Sequence, residues 1–308
     1  MVVVGFGQNS KSAKAGDLSA CRPVPVRMPG GEGGTNRFQY DDRMNPMSDA
    51  PLTIERRGHL LLMGFNRPAK RNAFGLDTYH RLAEAYGELH RDPELRCGVV
   101  FGHGEHFTAG LDLTQWAPQL AQGKLADLAE GSIEPFGLDE SHRLRKPLVV
   151  AAEGISFTVA VELMLAADIR VASTSARFAQ LEVKRGFYAC GGATIRLVQE
   201  IGWGNAQRYL LTGDEFSGSE AHRMGLVQEL TEPGQALPRA IEIAERVAAA
   251  APLGVQASLA SSRIARVEGD RAALARLYPD LQPIMHSEDA REAVAAFAER
   301  RQAVFKGR

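Results

Sequence analysis

The sequence predicts an α/β fold, and three observations predict it. From residue 52 onward, short apolar runs bounded by turn residues alternate with segments of helical periodicity. After "GLVQEL" the pattern becomes helical to the end of the chain. The longest apolar run, 147–172, is interrupted by Glu153, Glu162 and Asp168, so it reads as buried strand, turn and buried helix rather than as a membrane span. Alternation of this kind implies parallel strands covered by helices.

Taken in order, residues 1–50 contain many Gly, Pro, Ser and Arg without hydrophobic period, and are expected to form a disordered tail. Met44 and Met47 lie just ahead of the ordered pattern, and the natural start is expected there. "LTIE" and "HLLLMGF" read as a hairpin ended by the "NRP" turn. "GLDTYHRLAEAYGELHRD" carries Leu76, Tyr79, Leu82, Ala83, Tyr86 and Leu89 at helical spacing. "RCGVVFG", "KPLVVAA" and "DIRVAS" are buried strands, with helices expected at about 159–167, 191–200 and 203–211. One more strand in "GLVQEL" precedes helices over 237–249, 252–266, 270–278 and 288–300. The domain expectation is a core over 51–250 and a helical segment over 251–308.

The totals exclude several function classes. The 308 residues are 44% hydrophobic and 24% charged, with a mean hydropathy of −0.19, as in a soluble globular protein. Lys+Arg 36 against Asp+Glu 37 leaves a formal net charge of −1, so no global field favours nucleic acid or an anionic membrane. An anionic ligand would have to be met locally. Cys21, Cys97 and Cys190 are odd in number and lack metal-ligand spacing, which suits a reducing cytoplasm without structural disulfides. "MVVVGFGQNSKSAKAG" has no basic leader and too short an apolar stretch for a signal peptide. "GFG" and "GHGE" lack the spacing and strand–helix context of a dinucleotide loop.

Three segments carry candidate chemistry. In "AAEGISFTVAVELMLAADIR", Glu162 lies on a helix apolar nearly all round. Buried carboxyls need a partner or a use: either an arginine such as Arg170 satisfies it, or its raised pKa serves general acid–base work. In "RFAQLEVKRG", Glu182 follows a strand-like segment; it is either a surface loop residue or a second carboxyl in the same pocket. Two carboxyls sharing a pocket push their pKa values apart. In "EHFTAGLDL", a Gly-containing turn follows a strand, and free N–H groups also open the helix at Thr158 and Val159. Either these are ordinary turns, or together they form an oxyanion hole.

The ordered set "FNRPAKRNAF", "GVVFGHGEHFTAGLDL", "KPLVVAAEGISFTVAVELMLAADIRVASTSARFAQLEVKRG", "GGATIRLVQEIG", "YLLTGDEFSGSEAHRMGLVQEL" and "AERRQAVFKGR" resembles the enoyl-CoA hydratase/isomerase (crotonase) family from about residue 52 to the C-terminus. The resemblance implies a crotonase-like spiral of ββα repeats with a C-terminal α-helical oligomerisation segment, assembling as a homotrimer or dimer of trimers. It implies an acyl-CoA thioester whose oxygen sits between the backbone N–H groups of Leu111 and Val159. Lys70, Arg71, Ala109, Gly110, Asp112 and Lys306 would line the CoA site, with no metal and no cofactor beyond the CoA of the substrate. Glu162 and Glu182, twenty positions apart as in the hydratases, imply syn addition of water to a 2-enoyl-CoA, with Glu162 as base and Glu182 as acid.

Two departures from the family pattern stand out. Thr158, Val159 and Ala160 replace a glycine run, and Tyr188, Ala189 and Cys190 replace a Pro-Gly pair. The insert 114–141 is expected to form a mobile helical wall over the acyl chain. Alternatives on the same scaffold are an isomerase, a hydrolase, or a weakly catalytic binding or assembly protein, the last favoured if Val159 blocks the thioester.

Overall fold

The computed structural model describes residues 50–308; the expected tail and Cys21 fall outside the described residues, residue 50 apart. The chain begins with a hairpin, β1 (Leu52–Arg57) and β2 (Leu60–Phe65), then α1 (Leu76–Arg91), β3 (Cys97–Gly102) and α2 (Leu113–Leu120). It continues through β4 (Leu148–Ala152), β5 (Ile155–Phe157), α3 (Val159–Ala166), β6 (Ile169–Ser173) and β7 (Arg177–Ala179). There follow α4 (Ala193–Ile201), α5 (Trp203–Thr212), β8 (Phe216–Ser217), α6 (Gly218–Met224) and β9 (Glu229–Thr231). Four helices close the chain: α7 (Ala236–Ala249), α8 (Pro252–Glu268), α9 (Asp270–Met285) and α10 (Glu288–Glu299).

The main sheet has the order β1-β2-β3-β4-β6-β9, parallel except for the β1–β2 hairpin. Its central strands are covered on both faces, which is why they read as unbroken apolar runs. In β2, Leu61, Met63 and Phe65 enter the main core with Tyr79, Leu82 and Leu89 of α1. Leu60 and Leu62 point the other way, against Ala240, Ile241 and Ala244 of α7. A second sheet, β5-β7-β8, was not expected beyond the strand-like "RFAQ", because two- and three-residue strands show no period.

Three carboxylates interrupt the apolar run, and two of them are structural. Glu153 accepts from Gly234 N (3.0 Å) and Ala236 N (3.1 Å), meeting the free amides at the start of α7. Asp168 accepts from Leu148 N (2.9 Å) and from Arg263 of α8 (2.8 Å), and Arg263 also reaches Leu144 O (2.6 Å). Asp168 thus ties a late helix to the sheet.

Two expectations are corrected. Helix α9 runs past 278 through Pro279 and Pro283 to Met285. The backbone acceptors these prolines leave free lie on an exposed helix where water can serve them. The insert 114–141 is not a helical wall: it contains α2 and a single 3₁₀ turn, Glu140–His142, with irregular chain between. It is also anchored. Trp116 is buried and its indole N–H donates to Phe74 O (2.8 Å), and Ile133 N donates to Ala83 O (3.0 Å).

Asn72 knots the first βα connection. Its Nδ2 donates to His103 O (2.9 Å) and His106 O (2.7 Å), while its Oδ1 accepts from Arg67 N (2.8 Å). It sits at φ 53°, where Asn is better tolerated than most residues. Asn72→Ala strands three half-buried backbone groups and adds strain, so it is expected to lower stability by about 2 kcal/mol, read as a lower urea midpoint at unchanged m-value.

Candidate active site

Pairing in the small second sheet sets the site. Strands β5 and β7 are parallel neighbours, with Phe157 opposite Ala179, and Thr158 N donates to Ala179 O (2.7 Å). Each strand then turns into a segment carrying a carboxyl. Glu162 comes up one turn into α3, and Glu182 opens the 3₁₀ turn Glu182–Arg185. Both are buried, at 4% and 5% exposure. Two carboxyls that the sequence left in separate segments therefore share one interior region.

Glu162 is not satisfied by Arg170, which pairs with Glu200 (2.7 Å) and donates to Leu226 O. Its Oε1 instead accepts from Gly191 N (2.5 Å) and Ala193 N (3.4 Å), at the start of α4. A side chain at Gly191 would force the Glu162 carboxyl to shift, since a Cβ there would lie 2.6 Å from Glu162 Oε2. Burial, and next the charge of Glu182, push the Glu162 carboxyl up to about 8; the two backbone donors and Arg196 oppose the shift. Burial also raises Glu182, against its own N–H and Arg185. Its Oε2 has no protein hydrogen-bond partner. The pair thus holds a proton near neutrality.

The "AGLD" turn lies against the same segment. Thr108 N donates to Ile155 O (3.2 Å) and Phe157 N to Thr108 O (3.0 Å). On the other side, Phe74 N donates to Gly110 O (2.9 Å) and Asp112 N to Phe74 O (3.0 Å), which passes over Leu111. Neither Leu111 N nor Val159 N donates to a protein acceptor among the described residues. The two segments touch beside these amides: a Cβ on Gly110 (φ +113°) would lie 2.5 Å from Thr158 Oγ1. The site therefore offers two unused N–H donors on adjacent strands of chain, one of them at a helix N-terminus.

The departures have structural consequences. Thr158 adopts φ 52°, ψ −107°, backbone that glycine takes without strain; holding Thr there costs about 1–3 kcal/mol. The Val159 side chain is fully buried in the main core. Burial and the two carboxylates raise the Cys190 thiol, so it is a poor nucleophile as it stands.

Lys70 and Arg71 are exposed and adjoin the turn, since Ala109 N donates to Arg71 O (2.9 Å). The Asp112 carboxylate is occupied at the start of α2, accepting from Thr114 Oγ1 (2.6 Å) and Gln115 Nε2 (3.2 Å), with Arg67 at 3.6 Å. The Thr114 bond, then the charges of Arg67 and Lys70, hold it below its ordinary range. The Lys306 backbone N–H donates to Asp289 (2.7 Å), and its charge acts on Glu292. Sequence reasoning missed the clamp of Gly191 and Ala193. Its only trace is the "GG" before α4, which has meaning once an acceptor faces it.

Comparison with known proteins places this geometry. Residues 55–308 match the family model for enoyl-CoA hydratase/isomerase. An enoyl-CoA hydratase of Mycobacterium tuberculosis is 37% identical, covering 83% of this chain and 96% of that protein. A carnitinyl-CoA dehydratase of Salmonella enteritidis is 34% identical over 83% of this chain and 98% of its own. The crystal structure of a "probable enoyl-CoA hydratase/isomerase" from Mycobacterium abscessus superposes with a TM-score of 0.81 at 49% identity, over 84% of this chain and 99% of that one. With the match running through every segment that builds the carboxyl pair and the two amide donors, the chain belongs to the enoyl-CoA hydratase/isomerase family.

Proposed function

We propose that this protein is an enoyl-CoA hydratase, adding water across the double bond of a 2-enoyl-CoA to give a 3-hydroxyacyl-CoA. The observation that carries the reading is the pair of buried carboxyls, Glu162 and Glu182, beside two unused backbone N–H groups. In this reading the thioester oxygen lies between Leu111 N and Val159 N, which receive its negative charge as the enolate develops. Each such donor is typically worth about 3 kcal/mol in the transition state. Water is held by the carboxyls. The pair enters and leaves carrying one proton: the ionised member takes a proton from water as oxygen bonds to C3, and the protonated member gives its proton to C2. We assign Glu162 as the base that accepts the proton of water and Glu182 as the acid that supplies C2, both raised by burial. Lys70 and Arg71, exposed beside the turn, suit the CoA phosphates.

Val159 packs into the core, which favours this reading over a protein whose thioester site is blocked. We place the enzyme in the cytoplasm, where the free thiols of Cys97 and Cys190 are at home; among the described residues no helix is long and apolar enough to cross a membrane. We assign the exposed Leu274, Tyr278, Val294 and Phe297 of α9 and α10 to contacts between copies in a homotrimer or dimer of trimers. Native mass spectrometry is expected to give three or six copies, and charged residues at Tyr278 and Phe297 to give monomer.

Purified protein mixed with a 2-enoyl-CoA is expected to lose the conjugated absorbance and accumulate 3-hydroxyacyl-CoA; release of free CoA instead would identify a hydrolase. As the pair loses its last proton above about pH 8, kcat/KM should fall about tenfold per unit. Glu162→Gln should reduce turnover by about 10²–10⁴. Stability should move the other way. Folded Glu162 keeps a proton that the unfolded chain releases near 4.5, so the wild type loses stability as pH rises from 4.5 to about 8. The variant escapes that loss, and its urea midpoint at pH 8 should exceed the wild type's. Gly110→Ala, which forces the Thr158 contact and moves Leu111 N, should lower kcat by about 10²–10³ with KM little changed.

A further inference from the structure

Arg196 is a cation in a place where a helix does not favour one. It belongs to α4, yet its guanidinium lies against Gly192 at the N-terminus of that same helix, where the helix dipole opposes positive charge. The residue is buried, and its two terminal nitrogens donate to Phe136 O and Gly137 O, neutral acceptors on the irregular chain ahead of β4. Burial, and next the charge of Arg143, push the guanidinium down to about 10; Arg266 of α8 adds to this, while Glu140 and Glu134 oppose it. It is still charged at neutrality.

What the guanidinium touches gives that charge a use. A Cβ on Gly192 (φ +106°) would lie 3.2 Å from Arg196 Nη1 and 3.4 Å from Leu138 Cδ2. Gly192 stands between the two residues whose amides hold the carboxyl, since Gly191 N and Ala193 N both donate to Glu162 Oε1. The Gly191–Ala193 turn therefore has the guanidinium packed on its middle residue and the carboxyl bonded at its two ends. Two glycines in succession have little stiffness of their own. Arg196 supplies it by tying the turn to the 136–137 carbonyls. Its charge also favours the ionised form of Glu162, against burial and against Glu182.

We propose that Arg196 is a positioning residue for the hydration: it fastens the Gly191–Ala193 turn so that the amides stay aimed at Glu162, and it sets a fixed positive charge behind that carboxyl. The inference rests on the hydratase reading above. The titratable and charged groups acting on the carboxyl pair are Arg185 from the 3₁₀ turn of Glu182, the Cys190 thiol from the chain ahead of α4, and Arg196 from α4. Of these, Arg196 supplies the positive charge felt by Glu162, and Arg185 the one felt by Glu182.

Two variants separate the charge from the grip. Arg196→Met removes both, whereas Arg196→Lys keeps the charge but cannot hold two carbonyls in one plane. The Glu162 carboxyl is titrated by ¹³C NMR in protein labelled at glutamate Cδ, its signal identified by its loss in Glu162→Gln. In Arg196→Met the midpoint should rise by about half a pH unit, and in Arg196→Lys by clearly less. With a 2-enoyl-CoA, the alkaline limb of kcat/KM should move upward alongside it in Arg196→Met. In both variants kcat should fall about tenfold or more with KM little changed. An arginine that only keeps the helix folded would lower the urea midpoint and the active fraction, and leave the titration and the limb at their wild-type positions. That result overturns the proposal, and so does wild-type kcat in both variants. If Arg196→Met does not fold, Arg196→Lys decides: an undiminished kcat, or a fall matched by loss of folded protein, sinks the idea. A wild type that hydrates no 2-enoyl-CoA overturns the hydratase reading, and the NMR titration, which needs no turnover, still reports whether Arg196 acts on Glu162.

Discussion

The carboxyls of Glu162 and Glu182 repel one another and have both been taken out of water, and most of the architecture around them answers that fact. An isolated buried charge is among the most costly things a fold can contain. Here the cost is limited in two ways. One carboxyl keeps its proton, and the backbone amides of Gly191 and Ala193 converge on Glu162 Oε1. Neither remedy completes the hydrogen bonding of Glu182, whose Oε2 is left as an acceptor for something that is not protein. A pocket that stores one proton and presents one unoccupied acceptor is prepared to handle water.

Rigidity around the pair comes from layers that have other work to do. The main sheet is buried on both faces and supplies β4 and β6, between which α3 is suspended. Asp168 and Arg263 fasten α8 across the end of that unit, and Arg196 of α4 grips the carbonyls of Phe136 and Gly137. The same helix α4 that is held by Arg196 supplies the amides that hold Glu162. The irregular wall around 134–138 and the Glu162 carboxyl are therefore braced against one element. Thr158 adds a local cost: its strained backbone is kept because the flanking β5–β7 pairing and the buried Val159 leave it no alternative.

The strands and helices were legible because they are long enough to show a period. β2, β3, β4 and β6, and the helices α1, α3, α4, α5 and α7, lie within a residue or two of where apolar spacing puts them. α9 extends further than expected, because exposure lets its prolines go without penalty from buried acceptors. Glu162 was legible as a candidate from its surroundings alone, since a carboxylate among Val, Leu, Met and Ala has to be explained. Glu153 and Asp168 looked no different in sequence, and only their partners reveal them as structural.

By itself the sequence determined the fold class and the existence of a buried Glu on an apolar helix, which follow from local composition and periodicity, and it carried the family resemblance in the order of its motifs. Only the tertiary structure decided that Glu182 joins it. That convergence is made by a pairing of β5 with β7 too short to leave a pattern, whose hydrogen bonds connect residues distant along the chain. Tertiary structure also decided which donors meet the Glu162 carboxyl, because the direction of the Gly191 amide exists only after folding.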